Sequence, residues 1–265
     1  MLHISYSLSS EFIYNEEVWF DSELDSICIF DAEKINYKLN ELIKKSNKVV
    51  VTHAPLLVNL ASSSYEKRFF SVEKTILSLK AFEVIGAKIS VFHPGSKMLN
   101  SFEDSVEKLL LSVYQICDNT YIDLVIENMC GAGTQLLKNI EEIEYFFNKL
   151  NYKYKTRITL CIDTCHLFTA GYDLNDFEIV KEVTEKLRKL PLTTFHINDS
   201  KFPFNSKKDR HERINNGFLK TFFEKKYFLY MVKELKPKYL IFETPFDIIV
   251  SKKEVINLKN ELHNQ

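Results

Sequence analysis

Residues 48–53 read KVVVTH, a β-branched apolar run that closes on a histidine. Such runs suit a strand buried on both faces. The same construction recurs at 88–93 (KISVFH), 122–127 (IDLVIE), 158–163 (ITLCID), 192–196 (LTTFH) and 238–243 (KYLIFE). Two further runs, 2–6 (LHISY) and 26–30 (SICIF), bring the expected strands to eight. Amphipathic segments lie between them. Phe69, Val72, Ile76 and Leu79 recur at helical spacing, with Gly86 where a C-terminal cap belongs. Ser101 and Asp104 precede Val106, Leu109, Leu110 and Val113 in the manner of a capping box, and Leu136, Ile140, Ile143 and Phe147 mark another stripe. Eight strands alternating with helices imply a parallel sheet. The economical closure is an α/β fold, a (β/α)8 TIM barrel, which takes roughly 250 residues, so one domain spans 1–265. An open doubly wound sheet is the alternative, but no glycine-rich phosphate loop follows the first strand.

Six of these strands end on His53, His93, Glu127, Asp163, His196 and Glu243, at intervals of 40, 34, 36, 33 and 47 residues, each about one βα unit. One His or Asp at a strand end is ordinary structure. Six in register converge on the C-terminal face of a barrel, where active sites lie. Unpaired, they would suffer desolvation and mutual repulsion among the carboxylates, which divalent cations relieve. Nitrogen and oxygen ligands without thiolate favour zinc, and manganese or iron also suit them. Two more pieces add ligands. In IDTCH, Asp163 and His166 stand three apart. In KKDRHER, Asp209 and His211 stand two apart; if extended, both point one way and Arg210 the other, while the bland reading is a solvated charge run.

Bulk composition restricts the partners. Lys plus Arg number 35 and Asp plus Glu 36, so the whole chain carries no signal for nucleic acid, and any such partner must be argued from the site. Five cysteines (Cys28, Cys117, Cys130, Cys161 and Cys165) form no C-x-x-C pair, which points away from a disulfide framework and toward a reducing, cytoplasmic or nuclear setting. Cys130 and Cys165 read as packing residues. The N-terminal MLHISYSLSSEF lacks the basic and long apolar regions of a signal peptide, and no run approaches the length of a membrane span.

The sequence resembles the endonuclease IV (type 2 AP endonuclease) family. The matching stretches are THAPLLVNLAS at 52–62, VFHPGS at 91–96, VIENMCGAGTQL at 125–136, CIDTCHLFTAGYD at 161–173, FHINDSK at 195–201, DRHE at 209–212 and FETP at 242–245. The resemblance implies three metal ions, usually zinc, held by nine residues. His53 and His93 would hold the first, with Glu127 bridging to the second. Asp163, His196 and Glu243 would complete the second, and His166, Asp209 and His211 would hold the third. Glu127, Asp163 and Glu243 are then the carboxylates at the reacting centre. The implied reaction is hydrolysis of double-stranded DNA 5′ to an abasic site, leaving a 3′-hydroxyl, with blocked 3′ ends as a further substrate. Three divalent cations would take the formal charge from −1 to +5 and concentrate it at the mouth, which lets a near-neutral chain bind DNA. Asn198, Ser200, Lys201 and Arg210 are expected phosphate contacts, and Gly131 and Gly133 would let backbone approach the DNA. A monomer is expected.

The sequence departs from the family at its lesion-reading elements. Where members carry a Gly-Gly turn, this chain has Leu8-Ser9, and residues 8–40 diverge most. Members insert an arginine from the loop after the second strand and a tyrosine three residues after the first histidine. Here the loop is Asp31-Ala32-Glu33-Lys34-Ile35-Asn36, with Ile35 at the aligned position, and the tyrosine position is Leu56. Leu56 is an expected apolar wedge. Two rival functions remain at this level: a sugar isomerase or epimerase on a related barrel, which uses one or two metals, and a DNA-damage-binding protein without catalysis.

Overall fold

The computed structural model describes residues 2–8, 11–30 and 32–264. Strands form at β1 His3–Leu8, β2 Ser26–Ile29, β3 Val49–His53, β4 Ile89–Phe92, β5 Asp123–Glu127, β6 Ile158–Asp163, β7 Leu192–Ile197, β8 Asp199–Ser200, β9 His211–Glu212 and β10 Tyr239–Phe242. Helices occupy α1 Glu16–Trp19, α2 Tyr37–Ser46, α3 Tyr65–Val84, α4 Phe102–Asn119, α5 Ile140–Lys149, α6 Thr164–Ala170, α7 Phe177–Leu187, α8 Lys220–Glu224, α9 Tyr227–Leu235 and α10 Ile248–His263. The order β1-β10-β7-β6-β5-β4-β3-β2 closes into a barrel whose neighbouring strands are all parallel, as the eight-strand reading requires. The short β8 and β9 pair antiparallel at the rim. Among the described residues no helix is long and apolar enough to cross a membrane.

The two-residue pleat of the strands decides which side chains reach the mouth. One parity fills the barrel interior with Cys28, Val51, Val91, Val125, Cys161 and Ile241, among others. The other parity, including Val50, Phe92, Leu124, Ile126, Leu160, Ile162, Leu240 and Phe242, packs outward beneath the helices. Advancing two residues along the interior parity gives His53, His93, Glu127, Asp163 and Glu243. The alternation that builds the core therefore delivers these groups to one opening.

Several expected boundaries shift by one or two residues. β1 begins at His3 and runs to Leu8, while His93 and Glu243 stand one residue beyond β4 and β10. α3 ends near Gly86 (φ +73), and the Ser101 side chain accepts the Asp104 N–H. Two stripe assignments need correction. Phe69 lies on α3 but faces solvent, and Leu136 is buried in the loop ahead of α5 rather than within it. Ser9 and Asp31, of the divergent turn and loop, lie outside the described residues. Ile35 is half-buried against the core.

Candidate metal centre

Glu127 ends β5 at the centre of the opening, almost fully buried. Its Oε2 lies 3.3 Å from His53 Nε2 and 3.2 Å from His93 Nε2. Its Oε1 lies 3.1 Å from His196 Nδ1 and 3.3 Å from His166 Nδ1. One carboxylate thus stands among four imidazoles. His196 Nδ1 also lies 3.0 Å from Glu243 Oε2.

Asp163 does two local jobs. It ends β6 and caps α6, its Oδ1 accepting the His166 N–H at 2.8 Å. That cap fixes the first turn of the helix and carries His166 over the mouth. Its Oδ2 faces His211 Nε2 at 3.4 Å. Asp209 completes this side, with Oδ2 at 3.2 Å from His166 Nε2 and Oδ1 at 3.3 Å from His211 Nε2.

The fit to metal rests on where the ring protons go. His53 Nδ1 donates to the Ala54 carbonyl (2.7 Å), His166 Nδ1 to that of Asn128 (2.9 Å) and His211 Nδ1 to that of Glu243 (3.3 Å). In a neutral ring those bonds leave Nε2 as a lone pair pointing at carboxylate oxygens, which are also acceptors. Acceptor against acceptor needs a positive charge between them, a proton on Nε2 in the ion-free cluster or a metal ion in its place. The Nε2 atoms of His166 and His211 are buried and make no hydrogen bond despite those nearby oxygens. Donor spacings of 3.0–3.4 Å match the roughly 3.3 Å edge of a tetrahedral site with bonds of about 2.0–2.1 Å. Three groups have ligand atoms close enough to hold an ion: His53 with His93 and Glu127; Glu127 with Asp163, His196 and Glu243; and Asp163 with His166 and His211. Glu127 and Asp163 each belong to two of them. The third group therefore draws on Asp163, with Asp209 beside it.

The electrostatics of the ion-free cluster agree. Burial opposes charge on Glu127, yet His196 and His93 hold its carboxyl well below the usual range. Burial likewise opposes charge on His211, but Asp163 and Asp209 raise it to about 9. His166 and His196 are raised well above the ordinary histidine value, against burial, by the surrounding carboxylates and, for His196, by Cys161. The opening is built to gather positive charge.

Residues around the cluster fall into three sets. Asn198 and Ser200, expected as phosphate contacts, are fully buried. Asn198 Nδ2 donates to Asp163 Oδ2 at 2.7 Å, and Ser200 Oγ donates to the Phe202 carbonyl at 2.8 Å, so in this structure both side chains are engaged within the protein. Lys201 and Arg210 are exposed beside the β8–β9 hairpin. Gly131 (φ +83) and Gly133 (φ +57) hold backbone that L side chains rarely adopt, and Gly133 opens onto free space. Leu56 is 51% exposed and lines a cavity of about 510 Å³ with His53, His93, Glu127, His166, Asp209, His211 and Glu243. Cys130 and Cys165 are buried. Sequence reasoning missed Asn128, whose carbonyl orients His166 and whose Oδ1 accepts the Asp163 N–H at 2.7 Å. It also missed Phe30, stacked on His53, and Ser7, whose Oγ donates to Glu243 at 3.4 Å. Nothing in their local pattern marks them.

Barrel and clustered mouth together define a xylose isomerase-like TIM barrel, and a sequence model of that class matches residues 17–259. The chain belongs to the endonuclease IV family within it. A probable endonuclease 4 of Aster yellows witches'-broom phytoplasma is 31% identical over 98% of this chain and 91% of that protein. Another from Mycoplasmopsis agalactiae is 36% identical over 69% of this chain and 66% of that protein. Among solved structures, endonuclease IV from Thermus thermophilus superposes with a TM-score of 0.76 at 20% identity, covering 99% of both chains. A D-tagatose 3-epimerase-like protein superposes at 0.75 and 18% identity, covering 99% of this chain and 97% of that one. These two likenesses speak to the fold, while the sequence relatives carry the family. By family the chain is a hydrolase of the nuclease class.

Proposed function

We propose that the chain hydrolyses the phosphodiester 5′ to an abasic site in double-stranded DNA, leaving a 3′-hydroxyl, and also clears blocked 3′ ends. The nine residues His53, His93, Glu127, Asp163, His166, His196, Asp209, His211 and Glu243 would hold three zinc ions. Bound there, the ions would supply Lewis acidity toward a phosphoryl oxygen and a nucleophile at neutral pH. The observation that carries this reading is the third group: Asp163, His166 and His211 cluster beside Asp209, beyond what a one- or two-metal sugar epimerase requires.

The chain's own residues do the positioning. Glu127 couples the first two groups through its two oxygens. Asn128, Asn198 and Ala54 hold His166, Asp163 and His53 in orientation, as backbone and amide partners do around metal ligands. Lys201 and Arg210 would meet phosphates, Gly133 would admit backbone close to the strand, and Leu56 would fill the gap left by a flipped-out nucleotide. Action as a monomer in the cytoplasm, on nucleoid DNA, fits this role. The test is a nicking assay on an abasic duplex with zinc-loaded protein. Nicking 5′ to the lesion is expected. No cleavage, together with epimerisation of a ketose, would replace this reading with the epimerase. No turnover of either, with lesion binding retained, would leave a damage-binding protein.

A further inference from the structure

Two of the clustered residues come from parts of the chain that share no strand pairing. His211 lies in the rim hairpin, and Glu243 follows β10. One bond joins them directly, from His211 Nδ1 to the Glu243 carbonyl at 3.3 Å. A single hydrogen bond fixes a distance and leaves rotation about it free.

A second link closes through Glu254, on the outer helix α10. Its Oε2 accepts the hydroxyl of Thr244, the residue after Glu243, at 3.0 Å. Its Oε1 accepts the backbone N–H of Ile214, three residues after His211, at 3.3 Å. The Glu254 side chain is only 11% exposed, and Arg213, two residues after His211, forms a long ion pair with it, Nη1 lying 3.9 Å from Oε2. Burial raises the Glu254 carboxyl. Keeping a carboxylate there is unfavourable unless its bonds matter.

We propose that Glu254 is a positioning residue that clasps the His211 arm to the Glu243 strand end and so sets the third ion group. This rests on the three-ion reading. The Ile214 N–H needs an acceptor, while the Thr244 hydroxyl can donate or accept, so glutamine would keep both links by turning its oxygen to Ile214 and its NH₂ to Thr244. Methionine has a similar length but offers neither bond. Glu254→Met therefore opens the clasp without emptying the space. The first group, His53 with His93 and Glu127, lies at the ends of β3 to β5, and none of the three is a hydrogen-bond partner of Glu254.

The test titrates the metal-free full chain with zinc ions, counting bound ions after equilibrium dialysis, for the unaltered protein and Glu254→Met side by side. The unaltered protein should hold three. The variant should hold two at unchanged affinity and the third about 10–100-fold more weakly, the usual scale for losing a partner behind a ligand. An unchanged third affinity overturns the inference and leaves the three-ion reading standing. Equal weakening of all three ions also overturns it, since that marks general loosening. Fewer than three ions on the unaltered protein overturns the reading itself, and the inference with it. If Glu254→Met does not fold, Thr244→Val removes the hydroxyl alone and is judged by the same outcomes.

Discussion

Asp209 Oδ2 faces His166 Nε2 at 3.2 Å, while the same imidazole gives its Nδ1 hydrogen to the Asn128 carbonyl at 2.9 Å. The pairing is acceptor to acceptor unless a second ring proton or a metal ion stands between them, and a metal ion takes the place of that proton. The purified protein should therefore contain about three ions and release them slowly to chelators, because ligands from six strand ends, the first turn of α6 and the rim hairpin cannot leave together. At zinc 100-fold over Kd, each site adds about 2.7 kcal/mol, several degrees of melting temperature. Identical melting with and without chelator would remove the metal centre.

Loading should release protons. His211 sits at about 9 in the ion-free cluster, above the ordinary histidine value of 6.5. A raised histidine stabilises the folded ion-free protein fully below pH 6.5, and that contribution fades as pH climbs through about 9. The metal-free protein should melt lower at pH 9.5 than at pH 6.5, and zinc affinity should rise over the same interval. Calorimetric titration in buffers of different ionisation heat measures the proton count, and a heat independent of buffer would contradict it.

Glu127→Gln should abolish most cleavage. Its two oxygens face His53 and His93 on one side and His166 and His196 on the other, so the amide disturbs both groups at once. A loss of roughly 10²–10³-fold is expected, the scale of removing one preorganised transition-state contact. The fold, checked by circular dichroism, should persist. Cleavage near the unaltered rate would mean that Glu127 does not couple two ions.

Asn198→Ala should weaken the centre without touching substrate. Its amide supplies a buried hydrogen bond to Asp163 Oδ2, and truncation leaves that oxygen under-satisfied at a cost of about 1–3 kcal/mol. Lower zinc affinity with unchanged binding of intact duplex DNA is the expected pattern. The reverse pattern would restore Asn198 to the role of phosphate contact.

Leu56→Ala tests lesion reading. Leu56 projects half-exposed at the cavity rim. An apolar wedge offsets the unstacking cost of a few kcal/mol only where a gap must be filled. Cleavage of an abasic duplex should fall more than clearing of a 3′-blocked end. Equal losses, or none, would move recognition away from Leu56 and toward the divergent residues before 40.

The sequence by itself determined the barrel and most of the cluster. Its strands are continuous apolar runs because both faces are buried, and ligand-type residues stand at their ends because the pleat repeats every two residues. His53, Glu127 and Asp163 are legible for that reason. Only the tertiary structure decided what stands behind them. Asn128, Asn198 and Ser7 act through partners 35 residues or more away or through backbone carbonyls, and Glu254 ties Thr244 to Ile214, 40 residues away; no local period encodes such contacts. Asn198 and Ser200 look like surface residues in FHINDSK, yet the chain turns inward there and buries both. Asp163 joins two ion groups because a strand end and a helix cap coincide at one residue, a coincidence of packing that spacing alone does not reveal.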